Sequence, residues 1–439
     1  MIRPWALALI LIQTLTSGLP AHAGKRVDHS NHPFLETYWS IRERLVRDFI
    51  RIGTSPGKSL MMGVRTDDTV VWMDTPIMTA WYMAVLATEN ALLRKSGQNT
   101  DRNVQELYYA LKALERVDRI TETRFKDPKT GLPGTPSLNG FFIRDDVDHG
   151  FQYNFPGVTS IWSDWIDPNE NYFEMSQDQC VSLFMAFHFI HDFVAPDAQV
   201  GGEKIQDITN QMAERIIRHI SQNNWTIMNP VTGKQVKRGP KPGVFSKGFV
   251  KTARNVLGDQ IADVKPAWYS AIIWHTVFRA GLVPVFFNRA MVSILGASGQ
   301  VWNRGSVRVA KRYSRMWDRT VYPFMEVLLN EPQKASKKLK PKDRQKIEEL
   351  LALMNPGDNP SLKGGPIGWN STNRHYQAKK HYSSDSDDWT VQMGNPRGSS
   401  TDYLILHNIY VLLYRDDLAK KFAPTSIYEG LVDDQLKTP

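Results

Sequence analysis

Three aspartates stand at the predicted starts of apolar helices. Asp178 lies in the stretch EMSQDQC, Asp74 precedes a Thr-Pro pair, and Asp402 precedes YLILHNIYVLLY. The unpaired N–H groups and the dipole at a helix amino terminus stabilise a carboxylate. An aspartate held ionised in this way suits a nucleophile or a general base, although acidic residues in first turns also serve only as capping residues. We therefore treat Asp178, Asp74 and Asp402 as candidate catalytic residues whose alternative role is capping.

A second group of carboxyl groups lies in the long connection at 141–174. This connection is rich in acidic and aromatic residues, among them Asp145, Asp146 and Asp148 beside His149. Long connections in compact domains are usually functional or disordered, and the aromatic residues argue against disorder. The acidic run could supply a general acid, bind a metal through carboxylate oxygens, or only cover one end of the domain, and it lacks the spacing of an EF-hand. Asp146 joins Asp74 and Asp402 as a possible catalytic partner of Asp178.

The elements that must position these residues are helices. Helical periodicity occurs at 34–53, 75–95, 102–122, 176–194, 203–223, 246–257, 266–281, 283–297, 305–330, 342–354 and 401–414. Some segments, such as VSLFMAFHFI, are apolar nearly all round, which indicates burial on every side, whereas ELYYALKALERVDRI is amphipathic. Alternation of the two kinds predicts an inner layer of helices enclosed by an outer one. Ser176 and Gln179 fit an S-x-x-Q capping box at the start of one buried helix.

Signals for other elements are few. The segments GFFIRDDV and TSIWSDW predict a short hairpin. The pattern [D/N]-P-x-T-G occurs twice, at Asp127 and Asn229, and each copy follows an amphipathic helix. Pro and Gly at these offsets are typical of a β-turn. The recurrence indicates either an internal repeat or a coincidence.

The order of these segments resembles that of the (α/α)6 toroid superfamily. The resemblance rests on MDTPIMTAWYMAVLATENALL, ELYYALKALERV, DPKTGLPG, EMSQDQCVSLFMAFHFI and GSSTDYLILHNIYVLLY, taken in this order. That superfamily includes glycoside hydrolases, some polysaccharide lyases and sugar epimerases. The resemblance implies an all-α fold, a toroid of helical hairpins with long irregular loops at one face, and a cleft at the ends of the inner helices.

Aromatic residues in the irregular segments are candidates for stacking on sugar rings, because the apolar C–H face of a pyranose fits an indole. The tryptophans within helices, such as Trp81, are interpreted as core residues instead. Polar neighbours of the aromatic residues are candidates for hydrogen bonds to a substrate. The candidate substrate-binding residues are Trp162, Trp165, Tyr172, Gln179, Arg144, His149 and Trp389.

Motifs for other chemistry are weak or missing. His188 and His191 are three residues apart beside Asp192, and two histidines so placed could share a metal. A third ligand is not evident, and a hydrogen-bonded core histidine is the competing interpretation. The sequence contains no GxSxG, P-loop, GxGxxG or HExxH pattern. We therefore predict no cofactor and no resident metal.

The amino terminus predicts export. Arg3 precedes the apolar run ALALILIQTL, and Ala21-His22-Ala23 has the small-x-small pattern of a signal peptidase site. The run is too short for a permanent span of about 20 apolar residues, and no other stretch approaches that length. We expect a signal peptide at 1–23, cleavage near Ala23, a periplasmic or extracellular protein, and one domain at 24–439. The single cysteine, Cys180, excludes an intramolecular disulfide scaffold.

The charge of the chain is modestly basic, with a formal net charge of +9. Basic residues concentrate at 232–251 and 334–346, where they form either solvated surface or an attraction for an anionic partner. No nucleic-acid-binding motif accompanies them. The expected partner is an oligo- or polysaccharide, neutral or acidic, and neither nucleic acid nor a stable membrane span. The sequence leaves the oligomeric state open.

Three functional hypotheses follow. The first is a glycoside hydrolase that pairs Asp178 with Asp74, Asp146 or Asp402, or a polysaccharide lyase in which Tyr153, His149 and Arg144 act on an acidic glycan. The second is a non-catalytic helical protein that binds glycan. The third is a metal-dependent hydrolase that uses His149 with the two helical histidines.

Overall fold

The computed structural model describes residues 33–53, 64–65, 69–72, 75–148, 155, 157–166, 174–236, 243, 246–273, 348, 351 and 401–437. The chain divides into two compact units, Met1–Pro33 and Phe34–Pro439. The second unit contains the helices and sheets that bear on function. The predicted signal peptide at 1–23 and the predicted helices at 283–297 and 305–330 lie outside the described residues.

Helices dominate the described residues, as the sequence predicts. They are α1 (Pro33–Phe49), α2 (Thr75–Lys95), α3 (Asp101–Ile120), α4 (Gln177–Phe193), α5 (Ile205–Gln222), α6 (Ser246–Leu257), α7 (Trp268–Ile273), α8 (Thr401–Tyr414), α9 (Asp416–Ala419) and α10 (Ser426–Lys437). Short 3-10 helices follow α3 and α6, at Thr121–Arg124 and Gly258–Ile261. None of the described helices is both long and apolar enough to cross a membrane.

Three of these helices, α2, α4 and α8, run parallel. α2 packs between the other two. Near its carboxyl end, Arg94 Nη2 donates to the carbonyl of Phe193 at the end of α4 (2.8 Å), and Lys95 Nζ donates to the carbonyl of Leu412 near the end of α8 (3.4 Å). Since the three carboxyl ends meet, the three amino ends lie on the opposite, common side. Two of the candidate aspartates, Asp178 and Asp402, are in the first turns of α4 and α8.

Amphipathic helices pack on this layer. α3 runs back along α2, because Asn90 near the end of α2 donates to Asn103 near the start of α3 at 3.1 Å. α3 also contacts α5 and α10, and α5 packs against α4. The predicted alternation of buried and half-exposed helices is therefore confirmed from α2 to α5.

A small sheet precedes the amino ends of α2 and α4. β1 (Val64–Arg65) pairs antiparallel with β2 (Thr69–Trp72), and β2 pairs parallel with β3 (Ser160–Ser163). The predicted hairpin is wrong, because TSIWSDW supplies β3 while Ile143 of GFFIRDDV forms an isolated bridge with Glu174. Parallel pairing joins segments that are distant in the sequence, and local alternation does not reveal it. A second, two-stranded sheet joins β4 (Gln199–Val200) and β5 (Glu203–Lys204).

The two [D/N]-P-x-T-G segments form the same turn. The side chain of the first residue, Asp127 or Asn229, accepts the backbone N–H two residues later, at 2.7 and 3.0 Å. The glycine of each, Gly131 or Gly233, donates to the carbonyl of that first residue and has a φ of 71° or 64°. Each turn follows an outer helix, α3 or α5. This shared geometry supports the internal repeat.

A fully buried set of polar side chains joins α1, α2, α3, α8 and α10. We call it the polar core cluster, which consists of Tyr38, Arg42, Tyr82, Glu89, Asn103, Glu106, Asn408 and Tyr428. Arg42 donates from Nε to Glu89 at 2.9 Å and from Nη2 to Glu106 at 2.8 Å. Each carboxylate also accepts tyrosine hydroxyls, so the charges are compensated by hydrogen bonds as well as by the ion pairs.

Candidate functional site

The amino ends of α2 and α4 carry the candidate site. The segment 141–148 lies beside them, because Ile143 bridges to Glu174, shortly before α4. The hydroxyl of Ser163 in β3 donates to the carbonyl of Val147 at 2.6 Å. These two links hold the acidic run of the segment against the end of the sheet and the start of the helices.

Asp146, a predicted catalytic residue, lies at this site as half of an ion pair. Asp146 is 3% exposed, and its carboxylate receives two hydrogen bonds from Arg116 of α3. Arg116 Nη2 donates to Oδ1 at 3.0 Å, and Nε donates to Oδ2. A two-point pair between guanidinium and carboxylate fixes the orientation of both groups and stabilises the carboxylate charge. Asp146 is thus held in a defined orientation.

Asp145, the preceding residue, has the opposite electrostatic environment. Its side chain is 1% exposed, and its two oxygens accept the backbone N–H groups of Val147 and Asp164, both at 3.1 Å. Burial, followed by the charge of Asp164, raises the pKa of Asp145 well above its ordinary value. Asp145 therefore keeps a proton at a pH at which an ordinary aspartate has lost it.

One residue of this site, Asp164, was missed as a candidate, whereas Asp145 was named as a possible general acid. Asp145 was recognised as part of the acidic run, but the sequence gives no reason to separate it from Asp146. Asp164 lies in the segment assigned to a hairpin, and it meets Asp145 through the loop that leaves β3. The hydrogen bond from Ser163 Oγ to the carbonyl of Val147 holds the two segments together at this point. The only sequence signal for this cluster is the adjacent pair Asp145-Asp146, followed by a further aspartate, Asp164, between a serine and a tryptophan.

Two other predicted catalytic residues occupy helix starts. Asp178 is the second residue of α4, and Asp402 is the second residue of α8. Because α2, α4 and α8 are parallel, both positions lie on the side of the layer where α2 begins. Asp74, which precedes α2, lies outside the described residues.

The capping box at the start of α4 is confirmed. Gln179 Oε1 accepts the backbone N–H of Ser176 at 3.0 Å, and the reciprocal bond from Ser176 is also present. Gln179 is fully buried. Its Oε1 is therefore engaged by the cap.

Arg144, a predicted substrate-binding residue, lines a pocket at the start of α2. Its side chain is buried, and Nε donates to the carbonyl of Glu174 at 3.1 Å. The pocket lies between the first turns of α2 and the last turns of α3. Its lining residues are Thr75, Pro76, Thr79, Ala113, Leu114, Arg116, Val117 and Arg144.

Trp165 lies next to the site but does not offer both faces of its ring. The guanidinium carbon of Arg124 lies 4.2 Å from the ring centroid, and the indole is partly buried against the core. A cation over an indole face is attracted by the ring quadrupole. A sugar ring could therefore stack only on the opposite face. Trp162 lies in β3, where its backbone pairs with Val71.

The remaining substrate-binding candidates, Tyr172, His149 and Trp389, lie outside the described residues. So does Tyr153, the candidate base of the lyase hypothesis. The structure therefore brings together Asp146, Arg144 and Trp165 from the predicted set, with the helix starts at Asp178 and Asp402 on the same side.

The two helical histidines have separate environments. His188 Nε2 lies 3.4 Å from Asp192 Oδ2, and burial lowers the pKa of His188. His191 is exposed. Within the described residues, no group of three or more His, Cys, Asp and Glu side chains is arranged to hold a metal ion.

Comparisons with known proteins identify no similar protein. No protein-family model matches the chain, and neither the curated proteins nor the solved structures contain a significant match.

Proposed function

We propose that this chain is an exported carbohydrate-active enzyme that hydrolyses glycosidic bonds with paired carboxyl groups. The observation that carries the proposal is the contrast between two adjacent aspartates at the amino ends of the buried helices. Asp146 is ion-paired with Arg116, whereas burial and Asp164 raise the pKa of Asp145. A glycosidase needs one carboxyl group that holds its proton and one that is ionised. Neighbouring groups in opposite environments can supply both states.

Asp178 keeps its place in this proposal as an ionised partner, because the amino end of α4 favours a negative charge. The separation between acid and base then decides the stereochemistry. Carboxyl groups about 5–5.5 Å apart lead to retention, and groups about 6.5–9.5 Å apart lead to inversion with a water molecule between them.

The proposal includes an (α/α)6-type toroid formed by residues 24–439. Two features of the described helices support it. The buried helices α2, α4 and α8 are parallel, and helices from the beginning and the end of the chain are neighbours in both layers, α2 with α8 and α3 with α10. A closed ring requires such contacts between its first and last hairpins. An experimental structure in which the buried helices form an open layer would contradict the toroid.

The test is an assay of the purified mature protein against a panel of neutral and acidic polysaccharides. New reducing ends report cleavage by either route, and ultraviolet absorbance reports the unsaturated ends that only a lyase leaves, so hydrolysis gives reducing ends without absorbance. We expect reducing ends from at least one substrate, and a loss of about 100-fold or more in rate for Asp146→Asn and Asp145→Asn. Wild-type rates in both variants, with circular dichroism unchanged, would refute the assigned pair. Glycan binding without any product would favour the non-catalytic alternative.

A polysaccharide lyase is the second candidate. It is favoured by one observation, namely that Arg116 and Arg144 line the same pocket, where a guanidinium could neutralise the carboxylate of a uronate. Unsaturated ends in the same amount as new reducing ends would select the lyase over the hydrolase.

Export is part of the proposal and is tested separately. We expect the protein recovered from outside the cytoplasm of an expressing bacterium to begin near residue 24 when its amino terminus is sequenced. Retention of residues 1–23 on the recovered protein would contradict this assignment.

A further inference from the structure

The sequence contains one Asn-Gly pair, Asn139-Gly140, just before the segment 141–148 of the candidate site. The backbone nitrogen that follows an asparagine can attack the carbon of the side-chain amide, and a glycine has no side chain to hinder this attack. The attack forms a bond from nitrogen to Cγ and closes a succinimide ring, while the side-chain nitrogen leaves as ammonia. Water then opens the ring and leaves aspartate or isoaspartate. Asn139 is therefore the asparagine whose sequence context most favours deamidation.

The fold engages both groups that this reaction needs. The backbone N–H of Gly140 donates to Asp118 Oδ1 at 3.0 Å. The side chain of Asn139 donates from Nδ2 to Glu122 Oε1 at 2.6 Å, and its Oδ1 accepts the backbone N–H of Phe141 at 2.9 Å. Ring closure requires the amide and the backbone nitrogen to rotate towards each other, so these hydrogen bonds oppose it.

The peptide of Gly140 is also enclosed by α5. Gly140 is buried and has a φ of 83°, and a Cβ there would overlap the backbone carbonyl of Arg215. Asp118, which accepts the N–H of Gly140, is itself fixed by Arg215, whose Nε donates to Oδ2 at 2.9 Å. The backbone of α5 therefore restricts rotation of the Gly140 peptide. Deamidation then depends on local or global opening of this junction between α3 and α5.

We propose that Asn139 is a modification site which the fold shields, and that its deamidation after unfolding prevents the chain from returning to the native structure. The product has a carboxylate where the native amide donates to Glu122. Glu122 is 4% exposed, so water screens the repulsion between the two carboxylates poorly. In isoaspartate the main chain is also longer by one carbon, next to a peptide that α5 encloses. Unfolding should thus become irreversible as the product accumulates. The inference is independent of the proposed function.

The rate of modification is measured on the purified protein in water enriched in oxygen-18, because opening of the succinimide incorporates one oxygen atom from the solvent. Peptides that contain Asn139 are quantified by mass spectrometry after incubation in native buffer and in concentrated urea, at the same pH and temperature. We expect the unfolded chain to incorporate the label at this position at least tenfold faster than the folded chain. Equal rates would overturn the shielding.

The variant Asp118→Ala tests the local protection, because it removes the acceptor of the Gly140 N–H. The matched control is Arg42→Met, which weakens the fold at the polar core cluster instead. Both variants are incubated at urea concentrations that give the same small unfolded fraction. We expect Asp118→Ala to incorporate the label at Asn139 at least threefold faster than the control. Equal rates would show that only global unfolding exposes Asn139 and would overturn the role of the Asp118 hydrogen bond.

The consequence for folding is tested with Asn139→Asp, which carries the charge of the modified residue from the start. Its equilibrium constant for unfolding at pH 7 should be at least tenfold higher than that of the wild type. Adding Glu122→Gln to this variant reverses the pair, because the new amide can donate to the new carboxylate, and should lower the constant again by at least threefold.

The wild type completes this test. After increasing times in urea, the fraction that refolds should fall in parallel with the label incorporated at Asn139. Wild-type stability in Asn139→Asp, or complete refolding of labelled chains, would overturn the proposed block to refolding. A double variant no more stable than Asn139→Asp would overturn the repulsion from Glu122 as its cause.

Discussion

Arg42 and Glu89 form an ion pair with no solvent exposure on either side chain, and Nε lies 2.9 Å from Oε2. The pair ties α1 to α2, and a second pair from the same guanidinium to Glu106 ties α1 to α3. Two carboxylates around one guanidinium leave an excess negative charge, which the hydroxyl of Tyr428 stabilises by donating to Glu106 while it accepts from Arg42. The polar core cluster therefore depends on all of its members being present together.

Removal of Arg42 should destabilise the protein strongly. Arg42→Met keeps the length of the side chain but leaves Glu89 and Glu106 buried without their cation, which costs about 3–5 kcal/mol. The measurement is the free energy of unfolding from urea denaturation at pH 7. The control is Arg102→Gln, because Arg102 pairs with Asp433 at the half-exposed junction of α3 and α10. A surface pair contributes about 0–1 kcal/mol, so equal losses in the two variants would contradict a special role for the buried cluster.

Much of the helical framework could be predicted from the sequence. The predicted bounds 75–95, 246–257 and 401–414 are those observed for α2, α6 and α8. These segments have either an uninterrupted apolar run or a clear amphipathic pattern, which are local signals. α10 was not predicted, although Tyr428, Leu431, Val432 and Leu436 of SIYEGLVDDQLK recur at helical spacing. Its buried residues are Tyr428 and Val432, and Tyr428 contacts Arg42 of α1 and Glu106 of α3.

The candidate site was less predictable than the helices. Asp146 and Arg144 were chosen from a dense acidic and aromatic loop, and both lie at the site. The ion pair from Arg116 joins residues 30 positions apart. Periodicity cannot indicate which arginine on the polar face of an amphipathic helix is buried in an ion pair. The proximity of Asp145 and Asp164 depends on hydrogen bonds between segments 19 positions apart. Long-range pairing of this kind leaves no local pattern.

Substitution of two glycines with positive φ distinguishes the energetic cost of backbone strain from that of steric overlap. Gly140 has a φ of 83°, and a Cβ there would overlap the backbone carbonyl of Arg215, whereas Gly131 has a φ of 71° and open space around that position. Gly131→Ala should cost only the left-handed strain, roughly 1–2 kcal/mol. Gly140→Ala should cost that amount plus about 1–3 kcal/mol, because backbone on α5 must move. Urea denaturation of the two variants gives the comparison, and equal costs would show that the close approach to Arg215 is absent.

Acid should weaken the fold through buried histidines. Burial lowers the pKa of His407 to about 4, and an unfolded histidine has a pKa of about 6.5. The folded state binds fewer protons between these values, so stability is present above about pH 6.5 and is lost as the pH falls towards 4. The ring packs against Tyr38 and Tyr403, and Nδ1 lies 3.1 Å from the neutral Oδ1 of Asn408. No carboxylate among these neighbours offsets the cost of protonation.

The variant His407→Phe tests this dependence, because it keeps an aromatic ring and removes the titrating group. The loss of unfolding free energy between pH 7 and pH 5 should become smaller by about 1–2 kcal/mol, which is the share of one such histidine. His219, whose pKa burial also lowers to about 4, retains its own share. The exposed His191 provides the control, and His191→Gln should leave the pH dependence unchanged. An unaltered slope in His407→Phe would contradict the assignment.

The pH profile of the proposed hydrolysis should respond to Asp164. The charge of Asp164 is one of the causes that raise the pKa of Asp145. Asp164→Asn removes that charge, so Asp145 should lose its proton at a lower pH. If Asp145 is the group that must be protonated, the alkaline limb of kcat/KM should move to lower pH by about 0.5–1 unit while the acid limb stays in place. Asp148→Asn, which removes an exposed charge three residues after Asp145, should move the limb much less. A shift of the acid limb instead would assign the ionised, not the protonated, role to Asp145.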